Sequence, residues 1–391
     1  MPKHSPILKL TLLLVSSLTI MSMVTISPSL PEMSEAFAGV PHVEFLVQMV
    51  LTLPALFIAL GSPVAGRFID RYGRLRLLWM ALVLYAVSGG AGYFIQDIYL
   101  LLFSRALLGV AVGISMTIVT TLVADYFEGM ERQRFVGIQV AFMSFGGIVF
   151  IGLGGILADI SWRLPFFIYL LAALVLPLAV LFLHEPVRVP TPREEASQFS
   201  SPPIIWLLFG NVMAMWILFF LIPVEIPFHL KAIGVEKNAL IGAAIATSTA
   251  FSAVSSFSYS RIRNAFSFRA IFAMGYLLMA LAFALVAAAH SYGLVLAGMM
   301  LAGLGIGMMI PNTNMWVMQI APPQIRGREI GRLTTFWFMG QFLSPIVLWP
   351  ISRMLSISGT FYLFAAILLS LSALFLILQL RTQRSLATSG S

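Results

Sequence analysis

Three ionisable side chains stand inside long apolar runs: Lys9, Arg105 and Glu225. Charge in a dehydrated environment is costly, so each of them needs a structural or chemical reason to be there. Lys9 sits at the mouth of its run, where a long side chain can reach the boundary and act as an anchor. Arg105 lies eight residues beyond Asp97, about 12 Å along a helix at 1.5 Å per residue, too deep for that escape. It stays protonated, so it can bind an anion, steady a neighbouring carboxylate, or tie together carbonyls of adjacent helices, but it cannot carry a proton. Glu225, in Phe219-Phe220-Leu221-Ile222-Pro223-Val224-Glu225-Ile226-Pro227, can carry one. It precedes Lys231 by six residues, about 9 Å if helical. Pro223 and Pro227 also allow the helix to end early and leave Glu225 in interfacial water. Gln48, Gln139, Asn211, Asn312, Asn314 and Gln341 are uncharged polar groups in the same kind of surroundings, each able to bond a ligand or a neighbouring helix. Asn312 and Asn314 stand out because Gly303, Gly305, Gly307 and Pro311 precede them and would let their helix bend toward a substrate.

The elements that must position these groups follow from composition. The 391 residues are 60% hydrophobic and 10% charged, with a mean hydropathy of +0.97, too apolar for a soluble domain. Cutting at charge, Pro and Gly leaves apolar spans near 7–29, 45–66, 77–95, 99–124, 135–157, 164–184, 204–227, 239–260, 270–289, 293–318, 333–352 and 357–380. Each is long enough to cross about 30 Å of hydrocarbon as a helix. The first is read as a retained helix, having no small-residue cleavage site after it. Lys and Arg concentrate in alternate connections, including 67–76, 132–134, 261–269 and 326–332, which predicts that those connections and both chain ends are cytoplasmic. The net charge of +8 therefore reads as an orientation signal, and no nucleic-acid surface is expected. A stretch rich in Pro, Ser and charge, 185–203, divides an N-terminal bundle, 1–184, from a C-terminal one, 204–380, with 381–391 as a tail. The halves echo each other at an offset of 194 residues: Arg67 and Arg261, Asp70 and Asn264, Gly109 and Gly303, Gly113 and Gly307, Arg132 and Arg326, Arg134 and Arg328, Gly137 and Gly331.

Between the second and third spans runs Gly66-Arg67-Phe68-Ile69-Asp70-Arg71-Tyr72-Gly73-Arg74-Leu75-Arg76-Leu77-Leu78. It resembles the signature loop of the major facilitator superfamily, Gly-x-Leu-Ala-Asp-Arg-x-Gly-Arg-Lys-x-x-Leu, with Leu75 in place of the usual Lys. The resemblance implies an all-α membrane protein of twelve transmembrane helices in two pseudo-symmetric six-helix bundles, with substrate bound between them near the midplane. It further implies a cytoplasmic gate formed by Gly66, Asp70, Arg71, Gly73, Arg74, Asp125 and Arg132. Arg105, followed by Gly109 and Gly113, resembles the family's fourth-helix motif. Since the family lines its cavity with the first, fourth, seventh and tenth helices, an ion pair from Arg105 to Glu225 across the outer mouth is expected. Substrate and proton-coupling roles are accordingly expected at Arg105, Glu225, Asn312, Asn314 and Gln48. Of the antiporter stretch Gly-Pro-x-x-Gly-Gly, Phe150-Ile151-Gly152-Leu153-Gly154-Gly155 keeps the final glycines and lacks the Gly-Pro.

The expected activity is proton-coupled efflux of a small amphipathic drug or metabolite across a bacterial inner membrane, by a monomer whose partners are that substrate, protons and lipid. An importer in the same fold, or a sensor that has lost transport, are the alternatives. No Gly-x-x-x-x-Gly-Lys loop offers ATP as a motor, the five histidines have no ligand spacing and cysteine is absent. No enzyme activity, metal or cofactor is expected.

Overall fold

The computed structural model describes residues 5–186 and 199–389, so most of the connection between the halves, 187–198, lies outside the described residues. Fourteen α-helices are found among those residues. In the first half they are α1 (Pro6–Val24), α2 (Leu30–Ala36), α3 (Val43–Tyr72), α4 (Arg74–Gly90), α5 (Ile98–Tyr126), α6 (Gly129–Ile160) and α7 (Leu171–Phe182). In the second they are α8 (Pro203–Phe219), α9 (Leu221–Ala232), α10 (Asn238–Phe257), α11 (Tyr259–Ala265), α12 (Phe268–Ala287), α13 (Tyr292–Ile320) and α14 (Arg326–Ser389).

Three interruptions reconcile these helices with the twelve apolar spans. The first span breaks between α1 and α2 at the 3₁₀ turn Ser27–Ser29, which contains Pro28, and the seventh breaks between α8 and α9 at Phe220. The two breaks fall at equivalent places under the 194-residue offset. The third is Ser356, whose φ of 68° and ψ of 167° end one apolar helix inside α14 and start another. Its hydroxyl accepts from the Gly359 amide at 3.3 Å, as an N-cap does. Elsewhere the helix starts follow local chemistry: the Ser5, Asp97 and Ser267 side chains accept from Leu8, Leu100 and Ala270 amides.

Two apolar cores form, one centred on α1 and α3 to α7, the other on α8 to α14. Within the halves α5 packs on α3, and its counterpart α13 packs on α10. Between the halves α6 packs on α10 and α3 on α14. The repeated glycines explain the equivalence of the first two contacts. A Cβ on Gly109 would lie 2.4 Å from the Pro54 carbonyl oxygen, and one on Gly303 2.2 Å from that of Ser248; Pro54 and Ser248 are themselves 194 residues apart. Small residues let helix backbones touch where no hydrophobic force drives helices together in lipid. Gly303→Leu is therefore expected to push α13 off α10 and cost roughly 1–3 kcal/mol, read as a lowered melting midpoint of the detergent-solubilised protein.

Candidate functional site

Two groups of polar residues sit at opposite ends of the bundles. At the end shared with the chain termini, here the terminal face, Tyr72 closes α3 and Gly73 turns the chain into α4 with φ of 82°, a value that favours glycine. The Glu185 carboxylate accepts from the amides of Arg74 at 2.8 Å and Leu75 at 2.9 Å. It thereby satisfies two of the amides that a helix start leaves free. Arg74 pairs with Asp125 at the end of α5. Of the expected gate, then, Gly73, Arg74 and Asp125 come together within the first half, and Arg132 is exposed on the first turn of α6. Gly66, Asp70 and Arg71 lie in the last turns of α3, and their side-chain surroundings fall outside the described residues. Glu185 went unrecognised in the sequence, where it reads as one more charge of the connection. Removing its cap by Glu185→Ala is expected to lower stability by about 1 kcal/mol, measured by thermal unfolding.

At the opposite end, the far face, several contacts join the halves directly. The Ser27 hydroxyl donates to the Pro223 carbonyl, linking the breaks of the first and seventh spans. Lys231 of α9 pairs with Glu32 of α2 at 2.7 Å. The Asp159 carboxylate at the end of α6 accepts from the Asn238 and Ala239 amides at the start of α10, an N-terminal cap supplied by the other half. Trp349 of α14 meets the rings of His42 and Phe45, both at 5.4 Å. Gly155 belongs to the same seam: a Cβ there would meet the Asn238 carbonyl oxygen at 2.5 Å.

Within this seam two of the expected site residues meet across the halves, in a pairing the sequence did not announce. Gln48 of α3 donates from Nε2 to Glu225 Oε1 of α9 at 3.0 Å, and each residue is only 3% exposed. Glu225 is thus helical and buried, not stranded in interfacial water: α9 runs unbroken through Pro227. Both residues form the floor of a cavity of about 520 Å³, whose rim includes Glu44, His290 and Arg353.

The ion pair expected between Arg105 and Glu225 is not formed. Arg105 is fully buried inside the first half, where Nη2 donates to the carbonyls of Ser88 at 2.7 Å and Gly89 at 2.8 Å. Its guanidinium lies 5.0 Å from the Phe166 ring centre and 5.1 Å from that of Tyr169. The reason is azimuth: Arg105 leaves α5 on the side facing α4 and the turn Leu164–Leu170, not the side facing the second half. Asn312 likewise serves its own half, accepting from the Tyr259 hydroxyl at 3.2 Å and donating to the Phe268 carbonyl at 3.0 Å. Asn314 is half-buried on the next face of α13. Lys9 pairs with Glu131 of α6 at 3.0 Å.

Two apolar helical bundles, each with a break in its first span, define a helical membrane protein of two related halves. The Major Facilitator Superfamily model matches residues 12–239 and 233–390, and the chain belongs to that family, one of transporters rather than enzymes. Among curated relatives, Multidrug resistance protein 1 of Bacillus subtilis (strain 168) is 36% identical over 138 residues, 35% of this chain and 36% of that protein. Quinolone resistance protein NorA of Staphylococcus aureus (strain MRSA252) is 30% identical over 131 residues, 33% of this chain and 34% of NorA. The matched stretch thus spans about a third of each relative's length. Among solved structures, an inward-facing bacterial homologue of the human lysosomal transporter Spinster superposes with a TM-score of 0.78 at 17% identity, covering 97% of this chain and 98% of the other. A D-xylose-proton symporter superposes with a TM-score of 0.76 at 16% identity, covering 94% and 96%. At these identities the likeness is one of fold.

Proposed function

We propose that the chain exports a small amphipathic compound in exchange for protons, by alternating access between its two bundles. The observation that carries this reading is the Gln48–Glu225 pair, a protonatable group buried in the seam that has to open. Glutamine suits that place. Its amide can donate to a carboxylate or, after rotating, accept from a carboxylic acid, so the pair can persist through a change of charge. The relatives named for multidrug and quinolone resistance favour export and an amphipathic drug-like substrate. The Lys and Arg distribution favours a terminal face in the cytoplasm of a bacterial cell and a far face outside it. On that orientation the contacts of Glu32 with Lys231, Gln48 with Glu225 and Asp159 with α10 close the outer side. The connection 185–203 then serves as a cytoplasmic tether between bundles 1–184 and 204–380, and the segment from Gly66 to Arg74, with Asp125 and Arg132, as the inner gate. Arg105 acts on transport only by shaping the first bundle, while Asn314 is the better candidate of α13 for contact with substrate.

The test is accumulation of labelled fluoroquinolones and other amphipathic compounds in efflux-deficient cells, with and without a protonophore. Lower accumulation in expressing cells, abolished by the protonophore, supports proton-driven export. Higher accumulation on expression replaces it with import, and no change for any compound refutes transport of this substrate class.

A further inference from the structure

The floor of the far-face cavity holds a third titratable group. His229 lies one helical turn beyond Glu225 on α9, the spacing at which side chains share a face, and it lines the same cavity. It is 3% exposed. The ring lies beside the Val286 backbone carbonyl and stands edge-on to Phe361 at 5.7 Å between ring centres. These contacts account for its orientation and for one nitrogen only. Nε2 is buried with no hydrogen-bond partner, which is costly unless a polar neighbour compensates. In the tautomer that carries its hydrogen on Nδ1, toward Val286, Nε2 presents a bare lone pair. Gln48 repeats the pattern: Nε2 is spent on Glu225 and Oε1 is left without a partner. Both residues line the 520 Å³ cavity, and their two unpartnered acceptors are groups that a water entering from it would satisfy.

We propose that His229 is a proton-transfer residue, carrying protons between the solvent at the cavity rim and Glu225; this rests on the reading of Glu225 as the coupling residue. The step balances simply. A proton arriving through cavity water binds Nε2 and gives an imidazolium that keeps its Nδ1–H toward Val286. Nε2 then releases that proton through water to a Glu225 carboxylate oxygen, leaving a neutral imidazole and a carboxylic acid. Every other charged group facing the pair also lines the cavity: Glu44 from α3, His290 from the α12–α13 turn and Arg353 from α14. Lys231 is occupied by Glu32 at 2.7 Å. Arg353 takes no part in the relay, since it does not deprotonate, and disfavours a second positive charge lingering on the rim.

Two measurements test this on the full chain. The first needs no substrate: protein in lipid nanodiscs is treated with diethylpyrocarbonate, and carbethoxylation at each histidine is followed by mass spectrometry. His229 is expected to react despite its burial, because a relay requires water to reach Nε2; an unreactive His229 beside a reactive His290 overturns the proposal. The second uses proteoliposomes with norfloxacin as the fluorescent probe and an imposed pH gradient. His229→Gln and His229→Phe are each expected to slow gradient-driven flux about tenfold or more, with free imidazole restoring much of it and wild-type melting midpoints excluding misfolding. Imidazole is not expected to rescue Glu225→Gln. Wild-type rates and pH profile in both His229 variants, with Glu225→Gln inactive, sink the relay and leave Glu225 standing. Wild-type rates in Glu225→Gln as well sink both.

Discussion

Glu225→Gln is expected to bring protonophore-sensitive export down to the level of cells lacking the protein, without lowering its yield or melting midpoint. The argument is isosteric. Glu225 is buried in the seam between the halves, and its named polar partner is the Gln48 amide at 3.0 Å. A glutamine in its place can keep that bond amide to amide, so packing of α9 on α2, α10 and α14 loses no atom and gains no cavity. What disappears is the proton that the group can accept and release. If coupling runs through Glu225, the variant still binds and exchanges substrate across an equal pH on both sides, but an imposed pH gradient no longer accelerates net flux. The wild type, by contrast, speeds up as the far side is made more acid. The decisive readout is therefore the dependence of flux on the gradient, not flux alone. A Glu225→Gln protein with wild-type gradient dependence would remove the basis of proton coupling here. The Gln48→Ala variant supplies a second view: it removes the amide that follows the carboxyl between its two charge states, and is expected to shift the pH dependence while leaving a gradient response.

Much of the fold was legible because the controlling variable is one-dimensional. Twelve apolar stretches, three of them holding one charged residue each, are long enough to span a bilayer, and every one of them appears as helix, two merged into α14 across Ser356. The glycines at Gly109 and Gly303 were legible as a repeat, and their meaning became concrete only with the opposed carbonyls of Pro54 and Ser248. The breaks at Ser27–Ser29 and Phe220 were not marked, since the apolar runs read continuously through them. For single side chains the sequence conveys depth but not direction. Residue counting put Arg105 and Glu225 at similar heights, yet the rotation of α5 about its axis turns Arg105 into its own half, and the partner across the seam is Gln48. Charges in short connections were legible as an orientation signal only. Glu185 on the α4 amides, Glu32 on Lys231 and the fully buried Glu329 between Arg328 and Arg332 depend on contacts between residues far apart in the chain, or on burial that no local pattern announces.

Arg105→Ala is expected to be the most destabilising single substitution among these polar residues, by roughly 3–5 kcal/mol. Two losses contribute. The carbonyls of Ser88 and Gly89 belong to the last turn of α4, where a helix leaves its acceptors without backbone partners, and both take their side-chain hydrogen bonds from Arg105 Nη2. Bonds from a charged donor are worth about 1.5–3 kcal/mol each, and a full cation at a helix C-terminus adds a favourable interaction with the dipole. Truncation also empties a fully buried site walled by Phe166 and Tyr169, and large-to-small changes in a core cost about 2–5 kcal/mol. These terms overlap, so the total stays below their sum. Arg105→Lys is expected to recover less than half, because an ammonium reaches one carbonyl at a time and lacks the flat face that two rings hold. The measurement is thermal unfolding of the purified variants in detergent, together with binding of a compound found to be exported. A structural residue lowers the melting midpoint and leaves the affinity of the surviving folded fraction unchanged. A substrate residue does the reverse: a wild-type midpoint with lost affinity would return Arg105 to the transport path and contradict the geometry that places it inside one half.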